Sequence, residues 1–143
     1  MYQNEFNPIT FILELKLPDP TIVKRWTDIT SYIIEKYAQE LSKNDDVFIG
    51  HIKAIFTGGE KDYIKLSIYR KDIPVNSECS GDGTYNEIKL IINSIVHNVD
   101  EETSIRTLDQ ICDKCRKQFL IGYDVKLESH KEHSQYNGHV HDN

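Results

Sequence analysis

The sequence predicts an α+β fold: a two-layer, ferredoxin-like sandwich in the order β-α-β-β-β-α-β, with an antiparallel sheet and two helices on one face. Three observations carry this. Two stretches, one starting near Pro20 and one near Asp100, repeat apolar residues in the steps of three and four that suit a helix. Around and between them, apolar and polar residues alternate with the period of a half-buried strand. The middle of the chain, Val47 to Val75, holds two such alternating runs around Thr57-Gly58-Gly59-Glu60-Lys61-Asp62. The adjacent glycines supply the positive φ angles of a tight connection, so this segment reads as a hairpin. A hairpin alone is marginal in water, and the helices are expected to cover its apolar face.

Taken in order, residues 1–8 are polar. Ile9, Phe11, Leu13, Leu15 and Leu17 then share one face of a strand whose other face carries Thr10, Glu14 and Lys16. Pro18-Asp19-Pro20 is expected to stop that strand and start a helix, with Asp19 as N-cap and Pro20 at the first helical position. The helical stripe is Ile22, Trp26, Ile29, Ile33, Tyr37 and Leu41, widened by Val23, Ile34 and Ala38. Asn44-Asp45-Asp46 turns the chain into the hairpin. There Phe48, Gly50, Ile52, Ala54 and Phe56 are expected to share one face, matched by Ile64, Leu66 and Ile68 on the second strand.

Residues 70–86 contain Pro74 and Gly81-Asp82-Gly83 and read as a long irregular loop, either functional or a surface excursion. The next strand has apolar residues on both faces: Ile88, Leu90, Ile92 and Val96 on one, Ile91 and Ile95 on the other. That is the pattern of a central strand. Asp100 caps the second helix, with Glu101 and Glu102 in its first turn and a buried stripe of Ile105, Leu108, Cys112, Cys115 and Phe119. Ile121, Tyr123, Val125 and Leu127 form a closing strand. Residues 1–128 thus read as a single domain, and 129–143 as a flexible, histidine-bearing tail.

With 143 residues the chain is long enough to bury one real core, and 38% hydrophobic with 28% charged residues is an ordinary balance. No apolar run approaches the roughly 20 residues of a membrane span. The first ten residues lack a leader's basic and apolar regions. Three cysteines, two of them in one predicted helix, do not make a disulfide framework, so a reducing cytoplasm is expected. A net charge of -6 disfavours nucleic acid, whose binding rests on neutralising phosphates. The basic cluster Lys114, Arg116 and Lys117 suits the nearby helix C-terminus.

Two groups of residues stand out as candidate sites. His130, His133, His139 and His141 lie in the tail at spacings that let two imidazoles reach one cation. They read either as a labile site for a divalent metal (Zn, Ni or Co) or as plain solvated polar chain. His51 and Lys53, joined by His97, read as a partner or ligand surface to which Ile55, Ile91 and Ile95 add apolar area. The alternative is an ordinary solvated sheet face. Cys112-x-x-Cys115 lacks the second pair of a structural zinc site, and it sits near a helix C-terminus rather than the N-terminus of a redox motif. Packing is its expected role. No phosphate loop, dinucleotide fingerprint, H-E-x-x-H or nucleophile elbow is present.

Gly50-His51-Ile52-Lys53, the glycine turn, and Asn93-Ser94-Ile95-Val96-His97 leading into a helix together resemble the C-terminal domain of CobW-type GTPases. That family includes metal chaperones and proteins of cobalamin metabolism. The resemblance spans residues 9–127. Neither the family's phosphate-loop domain nor its Cys-x-Cys-Cys motif occurs in these residues, so GTP hydrolysis is not implied. What the resemblance implies is a non-enzymatic accessory protein of metal or cobalamin handling that docks on a GTPase, corrinoid protein or metalloenzyme, with a homo-oligomer as a further option. The alternatives are a small-molecule-binding or assembly module without a metal role, and an enzyme completed across an oligomer interface.

Overall fold

The computed structural model describes residues 8–128, so His130, His133, His139 and His141 lie outside the described residues. The elements are β1 (Ile9–Ile22), α1 (Val23–Leu41), β2 (Phe48–Thr57), β3 (Tyr63–Ile68), β4 (Asn76–Ser80), β5 (Thr84–His97), α2 (Glu101–Phe119) and β6 (Gly122–Leu127). The six strands form one sheet in the order β4-β3-β2-β5-β1-β6, antiparallel at every pairing. The fold is therefore α+β, with six strands where five are expected from sequence.

The extra strand is β4, inside the segment read as a loop. Its sequence, NSECS, has no apolar alternation; it pairs only with β3 at the sheet edge, and its partly buried end, Cys79 and Ser80, lies on the strand beside α1. Cys79, opposite Ile64, is its one half-buried hydrophobic residue.

Ile9, Phe11, Leu13 and Leu15 of β1 are buried together with Ile52, Ala54 and Phe56 of β2. They are joined by Ile64, Leu66 and Ile68 of β3 and by Ile88, Leu90, Ile92 and Val96 of β5. In each strand these residues fall on one parity, and with the buried stripes of α1 and α2 they form one core. Inside it, the Tyr37 hydroxyl meets Ser94 Oγ at 2.8 Å, and the Tyr37 ring meets Phe11 edge-on at 6.0 Å. Burial pushes the Tyr37 phenol up to about 12, against the opposing influence of the Ser94 and Ser104 hydroxyls.

Two local expectations are corrected. β1 continues through Pro18-Asp19-Pro20 to Ile22, and α1 starts at Val23 without a side-chain cap, so Asp19 is not an N-cap. The ladder explains this. Lys16 pairs with Glu87 and Thr21 with Tyr85, so five steps on β1 oppose two on β5. Both prolines fall inside this bulge, where no ladder bond needs an N–H. A second irregularity, between Ile49 and His51, breaks the alternation of β2. Ile49 packs against the core, while Phe48, expected inside, is 60% exposed on the opposite face beside His97.

α2 begins as the sequence indicates. The Asp100 carboxylate accepts from the Thr103 amide at 2.8 Å, and the Thr103 side chain and amide together hold that carboxyl below its usual range. The helix ends at Leu120 in the left-handed region, φ 60°.

Cys112 and Cys115 are fully buried against the core, and no disulfide involves them or Cys79. Burial pushes both helix thiols above the ordinary range. Thiolate is the reactive species, so a thiol reagent at pH 8 is expected to modify Cys79 quickly and the helix pair only on unfolding. Mass spectrometry of the modified peptides checks this; fast modification of Cys112 in the native protein would contradict it. Cys112→Ala should lower stability by about 1 kcal/mol through lost packing.

Candidate functional site: the open face of the sheet

The helices cover one face of the sheet, and the residues of opposite parity form the other. Cross-strand register arranges that second face in rows. Thr10, Asn93, Lys53, Ser67 and Asn76 make one row across β1, β5, β2, β3 and β4. Thr10 Oγ1 donates to Asn93 Oδ1 at 2.7 Å. Ile12, Ile91, Ile55, Lys65 and Glu78 make the next row, in which three isoleucines lie side by side. Beyond the polar row, Ile95 lies opposite His51, and His97 opposite Phe48.

His51, Lys53 and His97 therefore stand on one face, on neighbouring strands. The bulge at Gly50 brings the β2 backbone close to His97: a Cβ at Gly50 would sit 3.6 Å from His97 Nε2 and 3.1 Å from the Ile95 carbonyl. Glycine allows that approach. The His51 ring stacks on Tyr69 with centroids 4.4 Å apart and planes 15° apart. Its Nε2 is sealed from solvent and has no hydrogen-bond partner among the described residues. Burial, and after it the Lys53 charge, hold the imidazole below its usual pKa. The neutral ring is thereby favoured at neutral pH. Its contribution to stability is present above the ordinary histidine pKa and fades as pH falls below it.

Between β2, β3, β4 and β5 this face is hollowed into an open groove of about 450 Å³. Lys53, Lys65, Ser67, Asn76, Glu78 and Asn93 supply its polar groups, with Ile55, Ile91 and Tyr69 as apolar surface. The Glu78 carboxylate receives the Tyr63 hydroxyl at 2.9 Å, and Lys65 Nζ lies 5.1 Å from the Tyr63 ring centroid. Sequence reasoning found Lys53, Ile55 and Ile91 but missed the β3 and β4 contribution. The parity of Lys65 and Ser67 was readable, whereas Asn76 and Glu78 sit on the strand that polar composition hid.

Among the described residues, no group of three or more His, Cys, Asp or Glu side chains is placed to hold a metal ion. Cys112 and Cys115 face the core, and neither they nor His51 and His97 belong to such a group among the described residues. No helix of the described chain is long and apolar enough to cross a membrane. No family model matches the chain, and no curated protein or solved structure is significantly similar to it.

Proposed function

We propose that the chain is a non-enzymatic accessory protein of metal or cobalamin handling. It docks through the open sheet face on a protein partner: a GTPase, a corrinoid protein or a metalloenzyme. The observation that carries this reading is the exposure of Phe48 (60%), Tyr69 (56%) and Ile55 (38%) on one side of the sheet, around the half-buried Ile91 and Ile95. Large apolar side chains gathered on one face are a feature of interaction surfaces, whereas scattered single ones are ordinary.

The order β6-β1-β5-β2 supports a ferredoxin-like assignment for these four strands. On this reading β3 and β4 are additions to the β2 edge. The Gly50-His51-Ile52-Lys53 and Asn93-Ser94-Ile95-Val96-His97 segments that resemble the CobW C-terminal domain border the same face. In this proposal His130, His133, His139 and His141 capture Zn, Ni or Co and release it readily, and the protein works in the cytoplasm.

Sedimentation of the purified chain with a CobW-type GTPase lacking its own C-terminal domain tests the docking. A complex is expected with the wild-type chain and its loss with Phe48→Lys, a change at an exposed position that leaves the core intact. No complex with that GTPase, a corrinoid protein or a metalloenzyme, or a complex indifferent to Phe48→Lys, would overturn it. Calorimetry with Zn, Ni and Co on the full chain and on residues 1–128 tests the metal arm. Binding by the full chain alone is expected, with affinity on the order of micromolar that weakens as pH falls through about 6.5. Equal binding by both forms would remove the tail from the reading.

A further inference from the structure

We propose that the groove between β2, β3, β4 and β5 binds a small organic anion, a carboxylate or phosphate monoester on an apolar body. Its charged end lies between Lys53 and Lys65, and its body lies on Ile55 and Ile91. The groove volume of about 450 Å³ is in the range of small-molecule sites.

The donors converge from four strands. Lys53 and Lys65 sit on adjacent strands and the same face, in diagonal register, because Lys53 pairs with Ser67 and Ile55 with Lys65. Neither lysine forms an ion pair among the described residues. Asn93 accepts from Thr10 through Oδ1, on the β1 side. That leaves its amide N–H groups as donors toward Lys53, its neighbour on β2. Ser67 and Asn76 complete the polar row. Glu78 is the one carboxylate lining the groove, and the Tyr63 hydroxyl already donates to it. An anion thus meets two lysines and several neutral donors, with Glu78 opposite Lys65 placing the more favourable field on the Lys53 side, while the adjoining row offers isoleucine side chains to an apolar body. Both halves of the site are needed for a ligand of this class.

His51 reports on occupancy. Lys53 helps hold its imidazole low, so an anion seated on Lys53 should raise the His51 pKa. The test is an NMR titration of the isolated chain with phenyl phosphate and benzoate as probes. Inorganic phosphate serves as the charge-only control and benzyl alcohol as the apolar-only control.

Saturable shifts are expected for amides on both sides of the groove, with a Kd of about 1 mM or lower for at least one probe. The same probe should move the His51 titration upward. Each control should bind at least roughly tenfold more weakly. Lys53→Gln and Lys65→Gln should each weaken the probe by roughly tenfold, a difference of about 1.4 kcal/mol. Lys53→Gln should also abolish the His51 response, while Lys89→Gln, outside the groove, should change nothing. Whichever of phenyl phosphate and benzoate binds more tightly identifies the head group. Shifts spread over all surface lysines, binding unaffected by the Lys53 and Lys65 changes, or no saturation by about 10 mM would overturn the proposal. No protein partner enters this experiment, so its outcome is separate from that of the docking reading.

Discussion

Trp26→Ala is expected to lower the unfolding free energy by about 3–5 kcal/mol. The indole of α1 is fully buried, and it is the largest of the side chains sealed inside the core. Truncating it leaves a cavity under the sheet that helix-mounted neighbours fill only in part, so lost transfer energy and lost contacts act together. A specific bond is lost as well: Trp26 Nε1 donates to the Tyr85 carbonyl at 2.8 Å. That bond ties α1 to the strand segment just after the β4–β5 turn. Trp26→Phe should keep most of the packing, remove the donor and cost appreciably less. Urea unfolding followed by circular dichroism measures both, since Trp26 is the one tryptophan of the chain and its fluorescence disappears with it. A loss for Trp26→Ala below about 1 kcal/mol would mean that the site collapses freely and the packing account is wrong.

The elements visible in the sequence are those whose residues carry a periodic buried face. Phe11, Leu13 and Leu15, the Trp26-to-Leu41 stripe, and Ile88 to Val96 all repeat with the period of the element they form. Both helices and five strands could therefore be read, and the capping of α2 by Asp100 followed from residue type alone. What escaped was structure without such a face. β4 is an edge strand of polar residues held by backbone pairing to β3, and nothing in NSECS distinguishes it from a loop. The reach of β1 through two prolines depends on a bulge against β5, a long-range register that single-strand periodicity does not contain. The outward turn of Phe48 has the same origin. A break in alternation at Gly50 moves one residue across the sheet, and only pairing with His97 reveals it.

The candidate face was legible in outline for a related reason. Ile91 and Ile95 on the second face of a strand with a fully apolar first face announced a central strand with more apolar surface than solvent requires. His51 and Lys53 followed by alternation. The groove was not legible, because it needs β3 and β4 beside β2, and four of its six polar side chains, Lys65, Ser67, Asn76 and Glu78, come from those two strands. The Tyr69 stack on His51 was also hidden. Tyr69 follows the last residue of β3, where alternation alone does not say whether the next side chain keeps to the sheet.

Gly81→Ala should destabilise the protein by about 2–4 kcal/mol, although the residue is exposed and lies in a turn. Two independent effects add. Gly81 holds φ at +110°, a backbone conformation that L side chains rarely adopt. A Cβ there would also lie 2.6 Å from Asp62 Cα and Cγ and overlap the carboxylate oxygen. Asp62 has no room to retreat, because it is the hub of a clasp between the β2–β3 and β4–β5 turns. Its carboxylate receives the Tyr85 hydroxyl through a short hydrogen bond and the Gly83 amide at 3.4 Å. The same Tyr85 oxygen accepts from the Gly59 amide at 2.7 Å. Hydrogen bonding to Asp62 accordingly pushes the Tyr85 phenol above its ordinary pKa, although the Gly59 amide pulls the other way. Moving Asp62 aside breaks these bonds and opens the packing of Tyr85 on Phe56, whose rings meet edge-on at 5.2 Å. Gly122→Ala is the matched control: the nearest atom to its added Cβ is 3.9 Å away, and its effect should be close to zero. Tyr85→Phe should reproduce part of the Gly81→Ala loss, and the two changes should be less than additive because they disable one clasp. Thermal and urea unfolding of the three single variants and the double variant measure all of this. A neutral Gly81→Ala, or full additivity with Tyr85→Phe, would show that the two turns are held independently.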